Sequence, residues 1–211
     1  MIMTKFFIVD SGFDRSFYSL YPHRITPIGR TVYSHYHGNS TLQALVYTLQ
    51  QLHLFDASHI YICSFYNSSL PQALEDCLPY VSSNSILSLS LSAVSPIAQS
   101  MLSPYTHIFT AYDQTHPHLY TATPNAMSCS NRHTTADFIL PIHYKLFNIS
   151  GISLVTPIIA ALFAANPSLN RLVPIPPFLH PDYVSVARTS SMMQLPPIHY
   201  PKCPKCYTNV K

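Results

Sequence analysis

Charge is what this chain has least of. Only 8 acidic and 11 basic side chains occur among 211 residues, 9% of the total, where an average protein carries roughly 25%. With no clustered stripe of Lys and Arg, the chain lacks the electrostatic footprint of a nucleic-acid binder. No apolar stretch approaches the length that spans a bilayer. Residues 1–9 are too short for a signal peptide and run straight into an apolar segment, which points to the cytoplasm. The Asn-x-Ser/Thr matches at Asn39, Asn67 and Asn148 therefore carry no weight. The five cysteines are odd in number, and Cys63, Cys77 and Cys129 sit in apolar runs. They read as reduced core thiols, which favours a reducing compartment.

What remains is a globular chain. Hydrophobic residues make up 47%, and the length suffices for one domain with a sizeable core. His, Tyr, Ser and Pro supply the polar surface, and so weakly charged a surface suits burial against a protein partner. Continuous or alternating apolar runs at 5–9, 59–65, 85–91, 106–111, 126–129 and 138–140 predict strands. Helical spacing predicts helices over 39–53, 70–80, 96–102 and 153–165, with Pro71 opening the second and Asn166-Pro167 closing the last. Strands alternating with helices imply an α/β fold: a mostly parallel sheet with helices on both faces. Sites in such sheets form beyond the carboxyl ends of the strands. Beyond Pro174 helical periodicity is lost; the folded domain is expected over 1–187, followed by a proline-rich tail over 188–211.

Three distant segments carry the chemistry. Val9-Asp10-Ser11-Gly12 ends a strand on an acid, His37-Gly38 precedes a helical pattern, and Gly151-Ile152-Ser153 opens another before Pro157. A serine hydroxyl is a poor nucleophile until a base takes its proton, and the base works best when a carboxylate fixes its tautomer. Each residue also has a plainer reading. Asp10 suits a turn, Ser153 suits a helix cap, and His37 is one of 12 histidines, with His35 a rival. Asp14, past the Gly12 turn, reads as a surface partner for Arg15.

In order and in motif, these segments resemble the subtilases, the subtilisin-like serine peptidases, whose triad runs Asp, His, Ser along the chain. Val9-Asp10-Ser11-Gly12 matches the family's acid motif, His37-Gly38 begins its histidine motif, and Gly151-Ile152-Ser153 with Pro157 departs from Gly-Thr-Ser only at Ile152. The segment from Ser88 through Leu89, Ser90 and Leu91 to Ser92 is similar to the family's substrate-binding strand, and Ala136-Asp137-Phe138-Ile139-Leu140-Pro141 to the stretch preceding its serine. The resemblance covers roughly residues 5–170. It implies a three-layer subtilisin-like sandwich, reduced in size, with Asp10, His37 and Ser153 as catalytic residues and the Ser153 amide as an oxyanion donor.

The departures matter too. Asp113 stands where the family's oxyanion asparagine belongs, although a convertase of that family also carries Asp there. Losing one such donor costs about 2.7–4 kcal/mol of barrier. Ser92 and Gln43 replace glycines, no propeptide precedes the first strand, and the acids are too few for the family's calcium sites. In the tail, His199, Cys203 and Cys206 offer three zinc ligands where a closed site needs four. The His116-Pro117-His118 cluster is a similarly incomplete set. No cofactor is expected in the catalytic domain. Three readings result: a serine endopeptidase processing a particular peptide or protein, a subtilisin-like pseudo-enzyme that binds a peptide or partner, and a scaffold protein assembled through a zinc-bearing tail.

Overall fold

The apolar run at 5–9 forms the strand on which the rest is built. In the computed structural model, described here for residues 3–29, 36–65, 69–91, 95–112, 126–131, 136–141, 145–146, 149–150 and 152–179, β1 (Thr4–Asp10) is followed by the short helix α1 (Arg15–Tyr18), β2 (Ile25–Ile28) and α2 (Tyr36–Gln51). Then come β3 (Ser58–Ser64), α3 (Leu70–Cys77), β4 (Ile86–Leu89), α4 (Pro96–Leu102), β5 (Ile108–Ala111), β6 (Ala126–Ser130) and β7 (Phe138–Ile139). The two-residue strands β8 (Lys145–Leu146) and β9 (Ile149–Ser150) pair antiparallel before α5 (Ile152–Ala165). β1 to β7 form one sheet in the order β2-β3-β1-β4-β5-β6-β7, with every pairing parallel.

Side chains alternate across a strand, and here the alternation sorts them between two helical layers. Phe7 and Val9 of β1, with Leu87 and Leu89 of β4, pack into one cluster with Ala73, Leu74 and Cys77 of α3 and Ala98 and Leu102 of α4. The even positions Phe6, Ile8 and Asp10 point to the other face, where α2 lies over β1 and α5 covers β4, β5 and β6. The serine-leucine alternation of β4 thus divides residues between two buried layers, and all four strand residues are buried.

The connection carrying α2 breaks a strong rule. β2 to β3 and β3 to β4 step the same way across the sheet, yet α2 and α3 lie on opposite faces. The two crossovers therefore have opposite hands. β4-α4-β5 shares the hand of the second, and about 98% of such connections are right-handed, so β2-α2-β3 is the left-handed one. A right-handed path would have put α2 beside α3. The exception puts it beside α5, over the even face of β1.

Local chemistry explains the element ends. Ser69 accepts from Gln72 N–H at 3.4 Å while Ser69 N–H donates to Gln72 Oε1 at 3.1 Å, a capping box that starts α3. α3 then tightens into a 3-10 turn over Leu78–Tyr80, where Pro79 supplies no N–H. α2 stops at Gln51, two residues before His53, whose φ of 55° is left-handed. Leu54 N–H reaches Leu49 O at 2.8 Å and His53 N–H reaches Gln50 O at 3.0 Å, the paired bonds of a motif that ordinarily ends on glycine. H53G is expected to raise thermal stability by up to about 1 kcal/mol. Calorimetric melting of the two proteins checks it, and an unchanged or lower midpoint would refute the strain argument.

Cys63, Cys77 and Cys129 are buried and unbridged, as their apolar settings suggested. Asp14 differs from its expected role. It caps α1, accepting from Ser16 N–H at 2.9 Å, and among the described residues it makes no ion pair with Arg15. Among the described residues, no helix is long and apolar enough to cross a membrane.

Candidate active site

The topology selects one place on this sheet. The chain leaves β1 toward β2 on one side and leaves β4 toward β5 on the other, and β1 and β4 are neighbours. A crevice opens where outgoing connections part, beyond the carboxyl ends of those two strands. Asp10 is the last residue of β1, and Ser90 directly follows β4.

Asp10 is completely buried, with 0% exposure. Its Oδ1 accepts from the Ser11 N–H at 2.6 Å and the Ser11 hydroxyl at 3.0 Å. His37 Nδ1 lies 2.8 Å from Oδ1 and 3.0 Å from Oδ2, and the Thr41 hydroxyl lies 3.1 Å from Oδ2. Removing a carboxylate from water costs several kcal/mol. Each hydrogen bond to a charged group returns about 1.5–3 kcal/mol, so this set of donors offsets the cost. A turn-forming aspartate would stay at the surface. This one is built in.

His37 sits in the first turn of α2, with its side chain 28% exposed. Nδ1 donates to the carboxylate, which leaves the Nε2 lone pair free to accept a proton. Burial works against charging the ring, but the hydrogen bond and charge of Asp10 outweigh it and lift the pKa above the ordinary 6.5. The ring reaches Asp10 only because Gly38 lets the helix press on the loop after β1. A Cβ at Gly38 would run into the Gly12 carbonyl oxygen, with the carbonyl carbon 2.9 Å away. A further clamp comes from Asp14 N–H, which donates to Asn39 Oδ1 at 2.7 Å.

Ser153 lies in the first turn of α5, where helix N–H groups have no intrahelical partners and an anion is favoured. Pro157 has no N–H, so the Ser153 carbonyl four residues earlier loses its helical donor. The Ser90 hydroxyl supplies one at 2.8 Å. That bond ties the start of α5 to the end of β4, one strand from Asp10, about 4.8 Å across the sheet. Asp10, His37 and the Ser153 backbone therefore share one face and one rim. Among the described residues, no hydrogen bond joins His37 to the Ser153 hydroxyl.

The remaining expected residues divide. Ser88 and Leu89 are fully buried inside β4, whose two edges are occupied by β1 and β5. An added peptide strand has no room there, and Ser90 is buried as well, so the first partly exposed described residue of the 88–92 segment is Leu91. Ser88 Oγ and both amide atoms of Gln43 are buried and have no hydrogen-bond partner among the described residues. Asp137 accepts from the Ser128 N–H and hydroxyl, both at 2.7 Å, and anchors β6 to β7. His35, Ser92, Asp113, His116, His118, Gly151, His199, Cys203 and Cys206 lie outside the described residues.

Two contributors escaped the sequence reading. Thr41 falls four residues after His37, on the same helix face, and that spacing was the available signal. Asn39 had no comparable one. Among the described residues, no group of three or more His, Cys, Asp or Glu is placed to hold a metal ion. The hydrogen bond to Cys77, with burial, pushes the Cys63 thiol up, and burial does the same to Cys129. Neither is a thiolate nucleophile. No protein-family model matches the chain, and a search among curated proteins finds none similar to it.

Proposed function

We propose that this chain is a serine endopeptidase of reduced subtilisin-like design, acting on an extended segment of a peptide or protein. The observation that carries the reading is the fully buried Asp10 carboxylate holding His37 Nδ1 at the carboxyl end of β1. In the proposed mechanism, His37 Nε2 takes the Ser153 hydroxyl proton as the oxygen attacks the scissile carbonyl. The N–H groups at the start of α5 receive the developing oxyanion, joined by Asp113 if its carboxyl is protonated. His37 then returns the proton to the leaving amine, and water repeats the cycle on the acyl-enzyme. Asp10 keeps its charge throughout and stabilises the imidazolium.

A fluorophosphonate probe tests this. The folded protein is expected to be labelled at Ser153, with labelling abolished in S153A. Absence of labelling, or labelling that survives S153A, would refute the proposal. A second reading, a pseudo-enzyme that binds a peptide or partner without cutting it, is favoured by the lack of a hydrogen bond between His37 and Ser153. A folded, unlabelled protein that still binds an extended peptide is its signature.

A further inference from the structure

Thr41 offers one hydroxyl proton to two acceptors. Its Oγ1 lies 2.9 Å from the Gly38 carbonyl oxygen and 3.1 Å from Asp10 Oδ2, and the side chain is fully buried. A threonine inside a helix ordinarily bonds back to a carbonyl three or four residues earlier. Here that carbonyl already faces the Leu42 N–H of the helix ladder. Asp10 Oδ2 is the needier acceptor. Oδ1 has both Ser11 donors and the shorter contact to His37, while Oδ2 has only the longer one.

We propose that Thr41 is a positioning residue: its hydroxyl proton is shared between the Gly38 carbonyl and Asp10 Oδ2, and the share on Oδ2 sets how firmly Asp10 holds the Nδ1 proton of His37. Donation to Oδ2 draws charge from the carboxylate and fixes the plane in which it meets the imidazole. When His37 becomes an imidazolium, Asp10 is pulled toward the ring and the Thr41 proton can relax toward Gly38. The hydroxyl is thus a damper on the acid–base pair. As a statement about catalysis, this inference rests on the peptidase reading.

The surroundings make the test clean. Among the described residues, Asp10 is the one charged group acting on His37. α5 and β4, on the same side of the site, contain no ionisable carboxyl, amine or imidazole. The nearby Asp14 carboxylate is engaged with Ser16 N–H.

The experiment is an NMR titration of the His37 ring in the full chain, with and without T41V, which keeps the side-chain shape but removes the donor. T41V is expected to raise the midpoint by about half a pH unit or more, because the undamped carboxylate stabilises the imidazolium more strongly. The Nδ1–H resonance should move downfield. T41S, which restores the hydroxyl, should return both toward the parent values. An unmoved midpoint in T41V would overturn the inference, as would a T41S protein displaced as far as T41V. The readout needs no turnover. A protein whose Ser153 is not labelled but whose His37 responds to T41V loses the peptidase reading and keeps the damper. A labelled protein insensitive to T41V does the reverse.

Discussion

D10N is expected to lower the rate of Ser153 labelling by about four orders of magnitude, the scale of an Asp-to-Asn change in a Ser-His-Asp triad. The reason lies in the donors around position 10. Ser11 N–H, the Ser11 hydroxyl, His37 Nδ1 and the Thr41 hydroxyl all point at acceptors. An amide keeps one acceptor and introduces two N–H donors, and Thr41 can turn its proton to Gly38. His37 then meets an amide N–H most readily through an unprotonated Nδ1. That moves the proton to Nε2, and the base becomes a donor on its working side.

The pH dependence follows the same pair. Because the His37 pKa lies above 6.5, the neutral imidazole needed as a base accumulates only as pH rises through that higher value. Labelling should climb over that range. Stability runs the opposite way: the contribution of the Asp10–His37 pair is complete below 6.5 and fades as pH rises through the folded value. D10N removes the charge that lifts the pKa and leaves burial to depress it, so its residual rate should level off below 6.5. Labelling rates measured from pH 5 to 9 on both proteins check this. A wild-type limb below 6.5, or a D10N rate within tenfold of wild type, would refute the assignment.

G38A carries the second large effect. The added methyl collides with backbone at Gly12, so the relief must come from moving one segment away from the other. Those segments hold Asp10 two residues before the contact and His37 one residue before it. A displacement near 1 Å in a catalytic contact can cost about 100-fold in rate, and overpacking of this kind costs about 1–3 kcal/mol in stability. Labelling should therefore fall at least as far as that rate factor, with a lowered melting point. Unchanged labelling would show that His37 keeps its place without the close approach.

Elements whose cause is local were legible in the sequence. The strand of 5–9, the helix of 96–102 and the apolar helix after Gly151 appear close to their expected limits. β2 was missed because it has four residues, one of them Pro27, and lies at the sheet edge where proline is tolerated. α2 stops at Gln51, short of its expected end at 53, because a histidine occupies the left-handed position that glycine would have flagged. For the site, Asp10 and His37 were readable as motifs and were expected to meet, but the packing that joins them was not legible. That depends on the left-handed path of α2, a property of the whole sheet with no local signal. The burial of Ser88 and Leu89 was unreadable for the same reason: a motif does not reveal that neighbouring strands occupy both edges of β4.

The place of β1 in the sheet also governs how the protein is made. Its two partners lie far downstream, since Thr4 pairs with Ser58 and Phe6 with Ile86. Synthesis proceeds at about 5–20 residues per second, so Phe6, Phe7, Ile8 and Val9 wait for seconds with both edges bare. Until β4 emerges, that segment is a ready docking site for a chaperone, and for a second nascent chain if none arrives.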